Sequence, residues 1–157
     1  MQIGLFLDRD GTVNEEVEFL SSPAGVHLIP GAAAAIREAN SLGLKVIIIT
    51  NQSGVARGYF SEQDVHAVND ELLRQLAAEG ARVDAIYYCP HHPDGNAPFN
   101  INCDCRKPNT AMLRQAAERF DLDLTRSFVV GDRLSDLQAG NNVGASSILV
   151  LTGYGMV

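Results

Sequence analysis

LFLDRDGTVN, residues 5–14, decides how the chain is read. Ile3, Leu5, Phe6 and Leu7 form a short apolar run without the in–out alternation of a half-exposed strand, as in a parallel strand covered on both faces. Gly11 and Thr12 break the run into a turn. Two carboxylates, Asp8 and Asp10, therefore fall at the carboxyl edge of a strand, where open α/β sheets keep their chemistry. So spaced, they supply a nucleophile beside a proton donor, although a lone string of this kind also serves as a solvated turn.

Further apolar runs follow at 44–49, 85–88, 127–130 and 147–151, with helix-like segments between most of them. This alternation predicts a Rossmann-like α/β fold, a parallel sheet of about five strands with flanking helices. The first helix is expected from Ala32 to Gly43, after Pro30 and Gly31. The second opens on Ser61 with Asp64 three residues later, a capping-box spacing. It carries Val65, Val68, Leu72 and Leu76 on one face and ends at Gly80. A third, from about Thr110 to Phe120, buries Leu113, Ala116, Ala117 and Phe120. With 157 residues the chain is expected to form a single domain, 1–157, burying about two thirds of its unfolded surface.

The composition, 46% hydrophobic and 20% charged, is that of a soluble globular protein. No run approaches the length of a membrane span, and Asp8 and Asp10 interrupt the apolar stretch at the N-terminus where a signal peptide would lie. A cytoplasmic location without membrane partners is expected. The net charge of −7 opposes binding to a nucleic-acid backbone, so a small phosphorylated substrate is the expected partner, handled by a monomer or weak homo-oligomer. Against such a field, cations near the site matter more than usual.

Right-handed crossovers bring all strand ends to one edge, so Asp8, Thr50, Cys89, Asp132 and Thr152 converge although far apart in sequence. TNQSGVARG at 50–58 offers the Thr50 hydroxyl and the Asn51 and Gln52 amides to anionic oxygens. VVGDRLSDLQAG at 129–140 carries Asp132 and Asp136, the latter also suited to capping a helix. Asp8, Asp10 and Asp132 make an oxygen-rich pocket for catalytic Mg²⁺, and Lys107 is the candidate to neutralise a phosphoryl group. For Asp10 to act as an acid at neutral pH its pKa must rise, which a neighbouring carboxylate and an arriving phosphate favour.

The three cysteines cluster in YYCPHHPDGNAPFNINCDCRKPN, residues 87–109, a long stretch without helix or strand signals. Cys89, His91, Cys103 and Cys105 suit a closed tetrahedral site for structural Zn²⁺, with His92 an alternative to His91. Arg106 and Lys107 follow Cys105 directly, so the metal would aim them at the strand ends.

LFLDRDGT, Thr50, Lys107 and GDRLSD together resemble, in order, the four motifs of the haloacid dehalogenase superfamily of phosphatases, over nearly the whole chain. The resemblance implies that Asp8 forms an aspartyl phosphate, that Asp10 protonates the leaving oxygen and then activates water, and that Thr50 and Lys107 steady the transferring group. It also implies substrate contacts from Arg9, Glu16, Val17, Glu18, Phe19, Asn51, Gln52, Ser53, Arg106 and Arg133. The zinc loop narrows it to a subgroup acting on a heptose 1,7-bisphosphate, at the 7-phosphate, or on histidinol phosphate, and NQSGVARG resembles the heptose branch.

Two departures from the family pattern stand out. Asn109, Thr110 and Ala111 replace the Pro-Gly turn usual before Met112, which bears on where the next helix starts. The sequence stops at LVLTGYGMV, where relatives continue with a strand and helix. No cap domain is expected, so water exclusion falls to residues 16–19, 57–60 and the zinc loop. Receiver domains also carry acids, Thr and Lys at strand ends, but their phosphoacceptor lies on the third strand, which here ends in Cys89. A nucleic-acid 3′-phosphatase shares the first two motifs and is opposed by the acidic balance.

Overall fold

Lys45–Asn51 holds the longest apolar strand sequence in the chain, and a strand with five successive buried residues has to lie inside a sheet covered on both faces. In the computed structural model, which describes residues 1–156, this strand (β2) lies between β1 (Gly4–Leu7) and β3 (Ala85–Cys89). Beyond β1 come β4 (Phe128–Gly131) and β5 (Ser146–Leu149), so the order is β3-β2-β1-β4-β5 and every pairing is parallel. The order reverses between β1 and β4, which opens a crevice beyond their carboxyl ends. Asp8 and Asp132 follow immediately on those two strands.

Four helices cover the sheet: α1 (Ala32–Ser41), α2 (Glu62–Ala78), α3 (Ala111–Phe120) and α4 (Leu134–Asn142). Successive side chains of β1 and β2 point to opposite faces. Leu7, Val46 and Ile48 pack with Ile36 of α1 and with Val68, Leu72 and Leu76 of α2. Phe6, Ile47 and Ile49 pack with Met112, Leu113 and Ala116 of α3 and Ala139 of α4. Each face thus forms its own apolar cluster, and together they hold the strand ends in register.

The capping box expected at Ser61 is present. The Ser61 hydroxyl accepts from the Asp64 N–H at 3.1 Å, and the Asp64 carboxylate accepts from the Ser61 N–H at 2.9 Å. Gly43 and Gly80 end α1 and α2 with φ of +80° and +76°, which a side chain would resist. Three expectations shift. The last strand stops at Leu149 rather than Leu151, because the chain folds back and the Thr152 hydroxyl donates to the Gly11 carbonyl at 2.7 Å. The third helix starts at Ala111 without a side-chain cap from Thr110. Its Ala117 and Phe120 stay half-buried, Phe120 lying under the Lys45 and Arg119 cations.

The segments after β1 and β3 contain no cap domain; among the described residues, the first holds one 3-10 turn, Pro23–Gly25, before α1, and the second is a loop. No described helix is long and apolar enough to cross a membrane. Ser61→Ala should remove the α2 cap and cost about 1 kcal/mol, lowering Tm by about 2–4 °C, with kcat unchanged; thermal denaturation and a rate assay check it.

Candidate active site and metal centres

Lys107 arrives at the sheet edge from the loop after β3, and its ammonium group is buried. Nζ donates to Asp8 Oδ1 at 2.9 Å, to the Ile49 carbonyl at 2.9 Å, and to Asp136 Oδ1. Asn51 holds the same residue by its backbone, accepting from the Lys107 N–H at 2.9 Å and donating to its carbonyl at 3.2 Å. Burial works against the Lys107 charge, yet Asp8 and Asp136 outweigh it and raise the ammonium pKa. Both Asp136 oxygens are engaged, one by Lys107 and one by the Arg133 N–H at the start of α4, so this acid caps the helix and anchors the lysine.

The acids expected to share Mg²⁺ were Asp8, Asp10 and Asp132. The carboxylates whose oxygens converge are those of Asp8, Asp132 and Asp136. The Asp10 oxygens are held apart from that group by Arg9 Nε and Nη2 at 3.1 and 3.0 Å and by Asn14 Nδ2 and Gln52 Nε2, each at 3.0 Å. Asp132 accepts the Tyr154 N–H at 2.9 Å on Oδ2, while its buried Oδ1 has no partner. Three buried carboxylates beside a single lysine leave a net negative site with a spare lone pair, which fits a hard divalent cation such as Mg²⁺. Gly11, at φ +84°, lies against Asp132 so closely that a Cβ would collide with the carboxylate.

With neither cation nor phosphate beside them, these environments push the two motif acids in opposite directions. Burial pushes the Asp8 carboxyl well above its usual range, and the charges of Asp136 and Asp10 add to this against the pull of Lys107. Burial also acts on Asp10, but the Arg9 guanidinium and the hydrogen bonds of Asn14 and Gln52 prevail and hold it below the ordinary value. Arg9 stands between the two acids in the sequence, and the fold turns its guanidinium onto Asp10.

A cavity of about 530 Å³ opens over these groups. Asp8, Asp10, Glu16, Glu18, Phe19, Thr50, Asn51, Gln52, Ser53, Arg106, Lys107 and Arg133 all line it. Arg9 does not, and is corrected as a substrate contact: it is 1% exposed, with its fork spent on Asp10 and its remaining Nη1 on Asn69. Val17 is also outside the lining, its side chain exposed to solvent instead. The Asn51 and Gln52 amides serve Lys107, Asp10 and Thr50, so they position other groups more than they offer free donors.

Arg57, Ser135 and Tyr154 line the cavity although the sequence motifs did not nominate them as contacts. Arg57 lies 5.8 Å from the Phe19 ring centre and 3.3 Å from His92 Nε2, and the Arg133 guanidinium lies 4.2 Å from the centre of the Tyr154 ring. The glycines around Arg57 and Tyr154 gave some signal of tight loops, but nothing local places either loop over the strand ends.

Cys89, His91, Cys103 and Cys105 bring their ligand atoms together, with Cys89–Cys103 at 3.5 Å, His91 Nδ1–Cys105 at 3.3 Å and Cys89–His91 Nδ1 at 3.7 Å. A tetrahedron built on Zn–S of about 2.3 Å has edges of about 3.8 Å, close to these separations. His92 instead faces Arg57 and the Asp94 N–H, which decides between the two histidines. Burial pushes the Cys89 thiol far up and Cys105 up to about 11. Cys103, despite burial, is held at about 7 by the Arg106 N–H and its thiol neighbours. The donor set, soft and closed, fits structural Zn²⁺.

A parallel sheet with an aspartate-lined switch point and a buried lysine across it defines a hydrolase of the haloacid dehalogenase type, and residues 104–156 match the HAD-hydrolase-like family model. The chain is 45% identical over 140 residues to the D-glycero-beta-D-manno-heptose-1,7-bisphosphate 7-phosphatase of Rhodopseudomonas palustris, an alignment covering 88% of this chain and 78% of that protein. Among solved structures it matches a putative HAD-like phosphatase of Mesorhizobium loti with TM-score 0.93 and 45% identity, covering 96% and 73% of the two chains. It also matches the D,D-heptose 1,7-bisphosphate phosphatase of B. bronchiseptica, solved with magnesium and phosphate, with TM-score 0.89, 42% identity and coverage of 99% and 84%. The chain belongs to the family of the D-glycero-beta-D-manno-heptose-1,7-bisphosphate 7-phosphatases.

Mg²⁺ at 100 times its Kd should stabilise the protein by about 2.7 kcal/mol, and Asp132→Asn should abolish most of that gain, as read from Tm with and without the ion. Cys105→Ala should release zinc, lower kcat through a loosened Lys107, and leave Mg²⁺ affinity within about threefold; metal analysis with a rate assay checks it.

Proposed function

We propose that this chain is a Mg²⁺-dependent phosphomonoesterase that removes the 7-phosphate of D-glycero-D-manno-heptose 1,7-bisphosphate through an aspartyl phosphate. The observation that carries this reading is the buried Lys107–Asp8 contact of 2.9 Å at the switch point of the sheet, under a cavity lined by Arg57, Arg106 and Arg133. Asp8 attacks phosphorus, and the bond to the leaving oxygen breaks as Asp10 supplies it a proton. Asp10 then draws a proton from the water that cleaves the aspartyl phosphate and restores Asp8.

Lys107 and the Thr50 hydroxyl hold the transferring oxygens; Thr50 keeps its own O–H free because it accepts from Gln52 Nε2 at 2.8 Å. Asp8 and Asp132 would hold Mg²⁺, whose positive charge would lower the pKa of Asp8 and offset the charge of the phosphoryl group. Asp10 rests ionised under Arg9, so the arriving phosphate, shielded from water, raises its pKa and proton uptake accompanies binding. The arginines at the cavity mouth suit the sugar hydroxyls and the second phosphate, which a planar guanidinium engages with two hydrogen bonds.

The cavity is complete within one chain, which supports action as a monomer on a small sugar phosphate. The net charge of −7 supports the absence of nucleic-acid partners, and three unpaired cysteines suit a reducing, cytoplasmic compartment. The deciding measurement is kcat/KM for the heptose bisphosphate against histidinol phosphate with Mg²⁺. Preference for the heptose is expected, and preference for histidinol phosphate would overturn the assignment. Asp8→Asn should lower kcat by more than about 10³-fold, with folding checked by circular dichroism.

A further inference from the structure

Val65, Val68, Leu72 and Leu76 form the apolar stripe of α2, and Asn69 lies within it, buried to 6% exposure. A carboxamide at such a position is costly unless its hydrogen bonds are met inside the protein. Asn69 Oδ1 accepts from Arg9 Nη1 at 2.9 Å, a contact across 60 residues of sequence. Arg9 is buried as well, and its Nε and Nη2 grip the two oxygens of Asp10. Asn69 does not line the cavity, so its only route to the chemistry among the described contacts runs through that guanidinium.

We propose that Asn69 is a positioning residue: by pinning one nitrogen of the Arg9 fork it fixes the plane in which the other two hold the Asp10 carboxyl toward the leaving oxygen. A guanidinium is planar, so fixing one nitrogen on a rigid helix restricts the directions left to the others. Arg9 alone has a long, rotatable stem and is joined to Asp10 by a single peptide bond, which leaves the pair free to turn together. Asn69 ties that pair to α2, whose own position is set by the apolar face beneath it. Asn14 and Gln52, which reach the same two oxygens, complete the cradle. The inference rests on the phosphatase reading above and concerns how its acid is aimed.

The test is single-turnover release of the leaving group, enzyme in excess with Mg²⁺, from two substrates. The heptose bisphosphate expels an alcohol that needs a proton, whereas p-nitrophenyl phosphate expels a phenolate that leaves without one. Asn69→Ala should slow alcohol release about 10- to 100-fold, part of the 10²–10⁴ typical of general acid catalysis, while nitrophenolate release stays within about twofold of wild type. Asn69→Asp keeps an acceptor oxygen for Arg9 and should restore alcohol release. The ratio of the two rates does not depend on the fraction of folded enzyme, so partial unfolding does not imitate the effect.

Equal loss on both substrates, or no loss on either, overturns the proposal. If Asn69→Ala yields no folded protein, the same ratio is read on Asn69→Ser, too short to reach Arg9, against Asn69→Asp. Identical ratios for those two then overturn it. A wild-type enzyme inactive on both substrates would instead refute the phosphatase reading.

Discussion

The ammonium group of Lys107, enclosed between Asp8 and Asp136, is the interaction on which the rest of the site depends. It brings charge out of water at three positions: just past the end of β1, on α4 and in the loop after β3. Such burial is tolerated when the charges find partners: the Ile49 carbonyl takes the third Lys107 proton, and the Arg133 N–H donates to the second Asp136 oxygen. Removing any member leaves an uncompensated buried charge, so the triad sets the geometry of the nucleophile and locks the loop that delivers the lysine.

That loop has no helix or strand to order it, and only Arg106 stands between Cys105 and Lys107. The Cys and His cluster is therefore the natural anchor for the lysine. A metal held by the Cys and His cluster would thus organise the lysine that faces the carboxylate group across the crevice. Asn51 completes the link by holding the Lys107 backbone to the end of β2. The soft donors and the hard carboxylates are kept apart by this arrangement, which lets one chain hold two different ions.

The two motif acids differ in what sets their electrostatics: distant groups for Asp8, and mainly its neighbours Arg9 and Asn14 for Asp10. Asp8 faces other acids and one lysine, whereas Asp10 faces an arginine and two amides. Without ions or substrate Asp8, the proposed nucleophile, resists ionisation, and Asp10, the proposed proton donor, favours it. Ligands would reverse that order, since a cation beside Asp8 would stabilise its charged form and a phosphate beside Asp10 would destabilise its charged form. The site is built to be completed by its ligands, and loops rather than a cap domain exclude water around them.

Sequence by itself determined the strand runs, the Ser61 capping box, the acids at two strand ends, Lys107 and the Cys–His loop, because each depends on residue type and spacing along a few neighbouring turns. Only the tertiary structure decided which atoms those residues use. His91 rather than His92 joins the cysteines, Asp136 rather than Asp10 joins Asp8 and Asp132, Arg9 turns inward to Asn69, and Tyr154 folds back over Asp132. The physical reason is sequence separation: Tyr154 and Asp132 lie 22 residues apart, His92 and Arg57 35, Arg9 and Asn69 60, and Lys107 and Asp8 99. A side chain's type fixes what it can bind, while its direction and its free lone pairs are fixed only when distant segments pack against it.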